Sequence, residues 1–208
     1  MAKIKLTKTE LKAQTDALKR FQRFLPMLQL KKQQLQAEIA GIVAKVEAVA
    51  AREREARERL DMWVGLVAAD PSFAEGLVEL KGVETASANI AGVTIPVYKG
   101  IDTAMRDIDL WATPPWVDNL ADATVEMLAL KSERAILSRQ RELIAAELQT
   151  TSQRVNLFEK VKIPECRENI RVIKIAIGDE QTAAVTRGKI AKARGKSAES
   201  DEIVEEAS

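Results

Sequence analysis

The sequence predicts a mainly α protein, a long antiparallel two-helix left-handed coiled coil with a small middle domain that contains a β-hairpin and short helices. Three observations carry that class. Apolar residues keep a three-then-four spacing across 11–67, the seven-residue repeat of a coiled-coil seam. A second helical stripe, formed by Met127, Leu130, Leu137, Ile144, Leu148, Val155 and Phe158, fills the carboxy-terminal half. Between them Gly76, Gly82, Gly92 and Gly100 punctuate two short β-branched runs. The expected division is an amino-terminal coiled-coil helix over 1–69, a middle domain over 70–117 and a carboxy-terminal coiled-coil helix over 118–190. A disordered tail is expected over 191–208.

The first seam steps through Leu11, Gln14, Leu18, Phe21, Leu25, Leu28, Lys32, Leu35, Ile39, Ile42, Val46, Val49, Glu53, Ala56, Leu60, Trp63 and Val67. Only Gln14, Lys32 and Glu53 are polar. At 1.5 Å per residue such a helix is roughly 85 Å long, too long for a compact domain of this size. Thr7 with Glu10 three residues later forms a capping box, and Leu6 with Leu11 a hydrophobic staple. Pro26 removes one backbone hydrogen bond, yet the seam stays in phase on both sides, so a bend is expected rather than a stop. The alternating charges of 52–59 read as a solvated helix face with Glu55 and Arg59 in the favourable i,i+4 order.

Asp70-Pro71 closes the rod and opens a short helix, with aspartate as cap and proline at the first helical position. The β-branched runs turn about Ala91-Gly92, which predicts a hairpin near 84–98 with Pro96 on an edge. An isolated two-stranded hairpin is marginal in water, so this one leans on the coil or on a partner. It contributes nothing to the heptad seam and is expected to be separable from it. The segment 101–111 is ambiguous, and Thr113-Pro-Pro-Trp116 marks a break before the second helix.

On the second stripe Arg134, Arg141 and Thr151 interrupt the apolar face. Beyond Phe158 the stripe slips by one residue and resumes as Ile163, Cys166, Ile170, Ile173 and Ile177, with Pro164 at the slip. The chain must return along the helix it left, so the two pair antiparallel. Setting Val67 against about Ala123 brings Ile42 to Leu148, Val46 to Ile144, Leu35 to Val155, and Pro26 level with Pro164.

Chemistry is sparse. The chain has no histidine, which removes the commonest general base and transition-metal ligand. Neither Gly188-Lys189-Ile190 nor Gly195-Lys196-Ser197 is a phosphate-cradling loop, and Cys166 sits on an apolar face as a packed thiol. No catalytic, cofactor-binding or metal-ligating residue is therefore nominated, and no cofactor is expected. A single cysteine excludes a disulfide framework and points to a reducing compartment. The amino terminus lacks a secretory apolar run and no stretch reaches membrane-span length, so a soluble cytosolic protein without direct membrane insertion is expected. Thirty-two basic against thirty-one acidic residues give a net charge of +1 and predict no nucleic-acid partner. Locally, Lys3, Lys5, Lys8, Lys12, Lys19, Arg20 and Arg23 lie near Arg187, Lys189, Lys192 and Arg194 on the antiparallel register, making one end basic.

Several blocks resemble a known family: Lys5-Leu-Thr-Lys-Thr-Glu-Leu11, Leu28-Gln-Leu-Lys-Lys-Gln-Gln-Leu35, Asn89-Ile-Ala-Gly-Val93 with Ile95-Pro-Val97, Arg154-Val-Asn-Leu-Phe-Glu-Lys160 with Ile163-Pro-Glu165, and Gly178-Asp-Glu-Gln-Thr-Ala-Ala184. Together they are similar to the D subunit of the rotary V-type and archaeal-type ATPases, over about residues 3–190. Cys166 departs from the small residues usual at its place, a difference that touches packing only. The resemblance implies a non-catalytic central-stalk rotor inside a hexamer of catalytic A and B subunits. It also implies a middle domain that contacts the F subunit and the membrane-ring adaptor (C/d), on the cytoplasmic face of the membrane. Periodicity and spacing alone fit a static coiled-coil adaptor or tether equally well.

Overall fold

A computed structural model describes residues 4–107 and 113–205, the side chains of 194–205 excepted. The elements run α1 (Lys8–Asp61), α2 (Val64–Ala69), a 3-10 turn (Pro71–Phe73), β1 (Val78–Ile90), β2 (Val93–Met105), α3 (Trp116–Leu157), a π-helical turn (Phe158–Lys162) and α4 (Ile163–Glu205). The fold is mainly helical with a two-stranded antiparallel hairpin in the middle, the class expected from the heptads. The chain divides into two compact units, one of Met1–Leu28 with Gln153–Ser208 and one of Gln29–Ser152.

Helix α1 begins as its cap predicts: Glu10 N–H donates to Thr7 Oγ1 at 3.3 Å. The Glu10 carboxylate accepts from the Gln14 amide at 2.8 Å rather than closing the capping box. The helix runs through Pro26 without interruption. Every position of the predicted seam is buried or half-buried, with Leu35, Ile42, Val49 and Ala56 recurring every seven residues as its innermost points. The expected rod to Val67 is cut short, because the chain turns at Met62–Trp63 and Trp63 takes φ −131°. Asp61 places a negative charge at the negative end of the helix dipole, and Gly65 weakens the short helix beyond the turn. Pro71 does open a short turn, but the Asp70 carboxylate accepts from the Ser72 hydroxyl at 2.6 Å instead of capping the backbone.

In the unit of Gln29–Ser152, α1 and α3 pair antiparallel. Lys31 reaches Glu147 at 2.6 Å, Glu53 accepts from Arg134 at 2.9 Å, and Arg59 meets Glu126 at 2.6 Å, so partners fall in number as α1 advances. The register differs from the expected one. Ile144 is fully buried in the cluster of Leu35 and Ile42, while Leu148 packs at its margin. The break at Met62–Trp63 removes the last residues of the rod from the pairing, so each α1 residue meets an earlier part of α3 than a rod ending at Val67 would meet.

The hairpin is longer than expected, 78–90 against 93–105, with Ile90 opposite Val93 and irregularities between Leu80 and Gly82 and between Glu84 and Thr85. Its two-residue loop has Ala91 at φ 50° and Gly92 at φ 84°, the left-handed pair of a type I′ turn, and Asn89 Oδ1 accepts from Gly92 N–H at 3.0 Å. It leans on the helices: Ile95 is 2 % exposed and joins Leu35, Ile42 and Ile144 in one core, with Ala88, Ile90, Ala91 and Val93 around them. Gln140 of α3 adds a hydrogen bond to the Pro96 carbonyl. The expectation that the hairpin is separable from the seam is thereby overturned. A second core at the hairpin base joins Leu77, Val117 and Ala121, with Phe73 edge-on to Trp116 at 6.3 Å. Of the segment left ambiguous, 101–105 completes β2, whereas 108–111 lies outside the described residues.

In the unit of Met1–Leu28 with Gln153–Ser208, α1 and α4 also run antiparallel, since Gln14 faces Asn169 at 3.5 Å and Phe21 packs on Phe158 with ring centroids 5.0 Å apart. Pro26 and Pro164 therefore lie on opposite sides of the Phe21–Phe158 contact, not level with each other. Helical backbone continues to Glu205, past the point where a structureless tail was expected. Alanine, lysine and glutamate favour helix locally even on a solvent-exposed stretch, and residues 178–193 are exposed throughout.

Two outcomes check this packing. Ile95→Asp should lower stability by roughly 3–5 kcal/mol in urea unfolding, because an unpaired carboxylate would enter the core that hairpin and helices share. In a Cys166→Ala background, Ile42→Cys/Ile144→Cys should oxidise to a disulfide faster than Ile42→Cys/Leu148→Cys, as read on non-reducing gels.

Candidate functional site

Among the described residues no group of three or more His, Cys, Asp or Glu side chains is arranged to hold a metal ion. Gly188-Lys189-Ile190 lies inside α4, where the backbone N–H groups belong to the helix and cannot cradle a phosphate. The side chains of Gly195-Lys196-Ser197 lie outside the described residues. Cys166 is 5 % exposed, and burial pushes its thiol above the ordinary range, the Glu165 charge adding to this and Lys162 opposing it. A thiol so placed stays protonated and packs as a small apolar group. Tyr98 is shifted upward by burial and by the nearby Glu133 carboxylate.

The structure instead invests its polar chemistry in the helix seam. Glu53 interrupts the α1 stripe and Arg134 the α3 stripe, and the two answer each other at 2.9 Å. Glu53 is 9 % exposed as a residue, so its charge is held largely away from water and needs this partner. Arg52 to Glu133 at 2.8 Å and Arg59 to Glu126 at 2.6 Å flank it. The segment 52–59 is thus a rank of cross-helix pairs rather than a merely solvated face, and Arg59 reaches across to Glu126 instead of back to Glu55. Each exposed pair contributes little on its own, about 0–1 kcal/mol. Their shared effect is on register, since a slip by one turn would part all of them. The sequence marks both interruptions without pairing them, and their coincidence on opposing stripes was the signal.

Two exposed surfaces among the described residues suit partners. At the α2 end of its unit, Met62 is 80 % exposed, with Val64 and Leu66 about half exposed beside it. In the other unit, Lys5, Lys8 and Lys12 are exposed near the start of α1, as are Arg187, Lys189 and Lys192 on α4. Lys3 and the side chain of Arg194 lie outside the described residues. No helix is long and apolar enough to cross a membrane among the described residues.

Paired antiparallel helices stapled through their seam, with a hairpin packed on them, define a mainly α structural protein. Comparison with known proteins gives that class its family. The family described as the D subunit of ATP synthase matches residues 10–193. The V-type ATP synthase D subunit of Borreliella burgdorferi is 45 % identical over 192 residues, covering 92 % of this chain and 95 % of that protein. The proteins of the same name from Chlamydia felis and from Chlamydia trachomatis serovar L2 are each 32 % identical, covering 92 % of this chain and 93 % and 95 % of theirs. The chain belongs to the family of ATP synthase D subunits and is a component of a rotary ATPase complex.

The seam pair yields a double-mutant test. Arg134→Met should cost about 1 kcal/mol by leaving Glu53 unpaired, and adding Glu53→Leu should recover at least half of that in chemical denaturation.

Proposed function

We propose that this chain is the central-stalk rotor, the axle, of a V/A-type ATP synthase/ATPase, transmitting torque between the catalytic hexamer and the membrane ion-translocating ring. The observation that supports it most is the α1 seam, in which every heptad position from Leu11 to Leu60 is buried or half-buried, so that the helix is stiffened by packing along its length. Stiffness without chemistry suits torque transmission. The division into two coil helices and a middle domain is carried into this proposal, with the hairpin now part of the coil's own packing.

The proposed partners are the catalytic A and B subunits of the hexamer, the F subunit, and the membrane-ring adaptor (C/d). The exposed Met62, Val64 and Leu66 suit the adaptor, because apolar side chains left open at a helix turn favour burial against another protein. The basic residues of 5–12 and 187–192 suit an electronegative sleeve, which would centre the end without fixing its angle. On this reading the complex lies on the cytoplasmic face of the membrane and the chain carries no nucleotide site of its own.

Rotation itself is the test. With the hexamer anchored to a surface and a bead attached through Glu58→Cys in a Cys166→Ala background, ATP should drive continuous rotation in one direction, and omission of ATP should stop it. A complex that hydrolyses ATP while the bead stays fixed would overturn the axle in favour of a static adaptor or tether.

A further inference from the structure

The helix that leaves α3 changes its winding at one place. Upstream the buried stripe runs Ile144, Thr151, Val155 and Phe158, and downstream it resumes at Ile163, Cys166 and Ile173. A helix of uniform winding would present 162, 165 and 169 to the seam, one residue too early. The π-helical turn Phe158–Lys162 supplies the missing residue, with Ile163 N–H donating to the Phe158 carbonyl five residues back. The same turn accommodates Pro164, which has no N–H to offer the carbonyl four residues before it.

We infer that this π-turn is a removable one-residue phase insert that makes the unit of Met1–Leu28 with Gln153–Ser208 torsionally compliant at a single joint. A π-turn interrupts the i→i−4 ladder of the helices on either side, and residues 159–161 are exposed, so local opening is favoured there over the packed turns that flank it. The joint is confined. Phe21 packs on Phe158 at its upper edge, and the buried Ile163 and Cys166 hold its lower edge. A single-residue insertion within a coiled coil normally unwinds or overwinds the packing over several turns. Here one turn absorbs it, and both halves of the stripe stay buried. The use of this joint in transmission rests on the rotor reading; the phase insert does not.

The test uses the full-length chain carrying a deletion of Val161 together with Pro164→Ala, which leaves one uninterrupted α-helix with the stripe in phase. Helicity by circular dichroism should be retained and the melting temperature should rise by about 3 °C or more. In the wild type, the amides of 159–163 should exchange at least tenfold faster than those of 170–174, and this difference should vanish in the variant. Deletion of Arg20 from α1, which has no π-turn to absorb it, should lower the melting temperature. A double variant that melts below the wild type, or wild-type amides over 159–163 as slow as their neighbours, would overturn the insert. In the reconstituted complex the double variant should assemble at the wild-type level with ATP turnover reduced at least twofold. Unchanged turnover with a raised melting temperature would overturn the joint, whereas failure of the wild-type chain to assemble would overturn the rotor reading and leave melting and exchange to decide the insert.

Discussion

Everything in this fold depends on burying one continuous apolar stripe that no helix can bury alone. With aromatics at 4 % of the chain and charged residues at 30 %, there is no material for a broad globular core. The stripe of α1 is covered by α3 in one unit and by α4 in the other. The hairpin supplies a third surface against it at Ile95. Because the contact is linear, loss at any one level is felt locally and leaves the remaining levels packed.

A linear apolar contact specifies pairing but specifies register weakly, since a slide by one heptad restores most of the apolar overlap. The polar interruptions supply what the apolar positions lack. Glu53 is buried in the seam and is met by the half-exposed Arg134 from its margin, and the half-buried Gln14 meets Asn169, so an unmatched Glu53 or Gln14 would lose water without gaining a partner. Lys31 with Glu147 and Arg59 with Glu126 extend the same constraint along the rim. The hairpin adds another fixed point through the bond from Gln140 to the Pro96 carbonyl. Held in this way, the helices resist sliding as well as bending.

Both units leave apolar side chains open, Met62, Val64 and Leu66 in one and Phe24, Met27 and Ile175 in the other, and the second also exposes lysines and arginines on α1 and α4. Apolar surface favours lasting attachment, and dispersed charge favours a loose fit that tolerates change of angle.

The amino-acid sequence by itself determined the helices, their buried faces and the turn of the hairpin, because each rests on short-range periodicity. Heptad spacing named the seam residues of α1, the slip at Phe158 anticipated the π-turn, and Ala91-Gly92 marked the type I′ turn. Only the tertiary structure decided which residues meet. Ile144 rather than Leu148 shares the core of Ile42, and Arg59 pairs with Glu126 rather than Glu55. Ile95 enters the core of the helices although about fifty residues of sequence separate it from both Ile42 and Ile144. Pairing across a long connection depends on where the first helix stops. That stop, at Met62–Trp63, comes not from the heptad pattern, which runs on to Val67, but from the local energetics of a helix end, to which apolar spacing is blind.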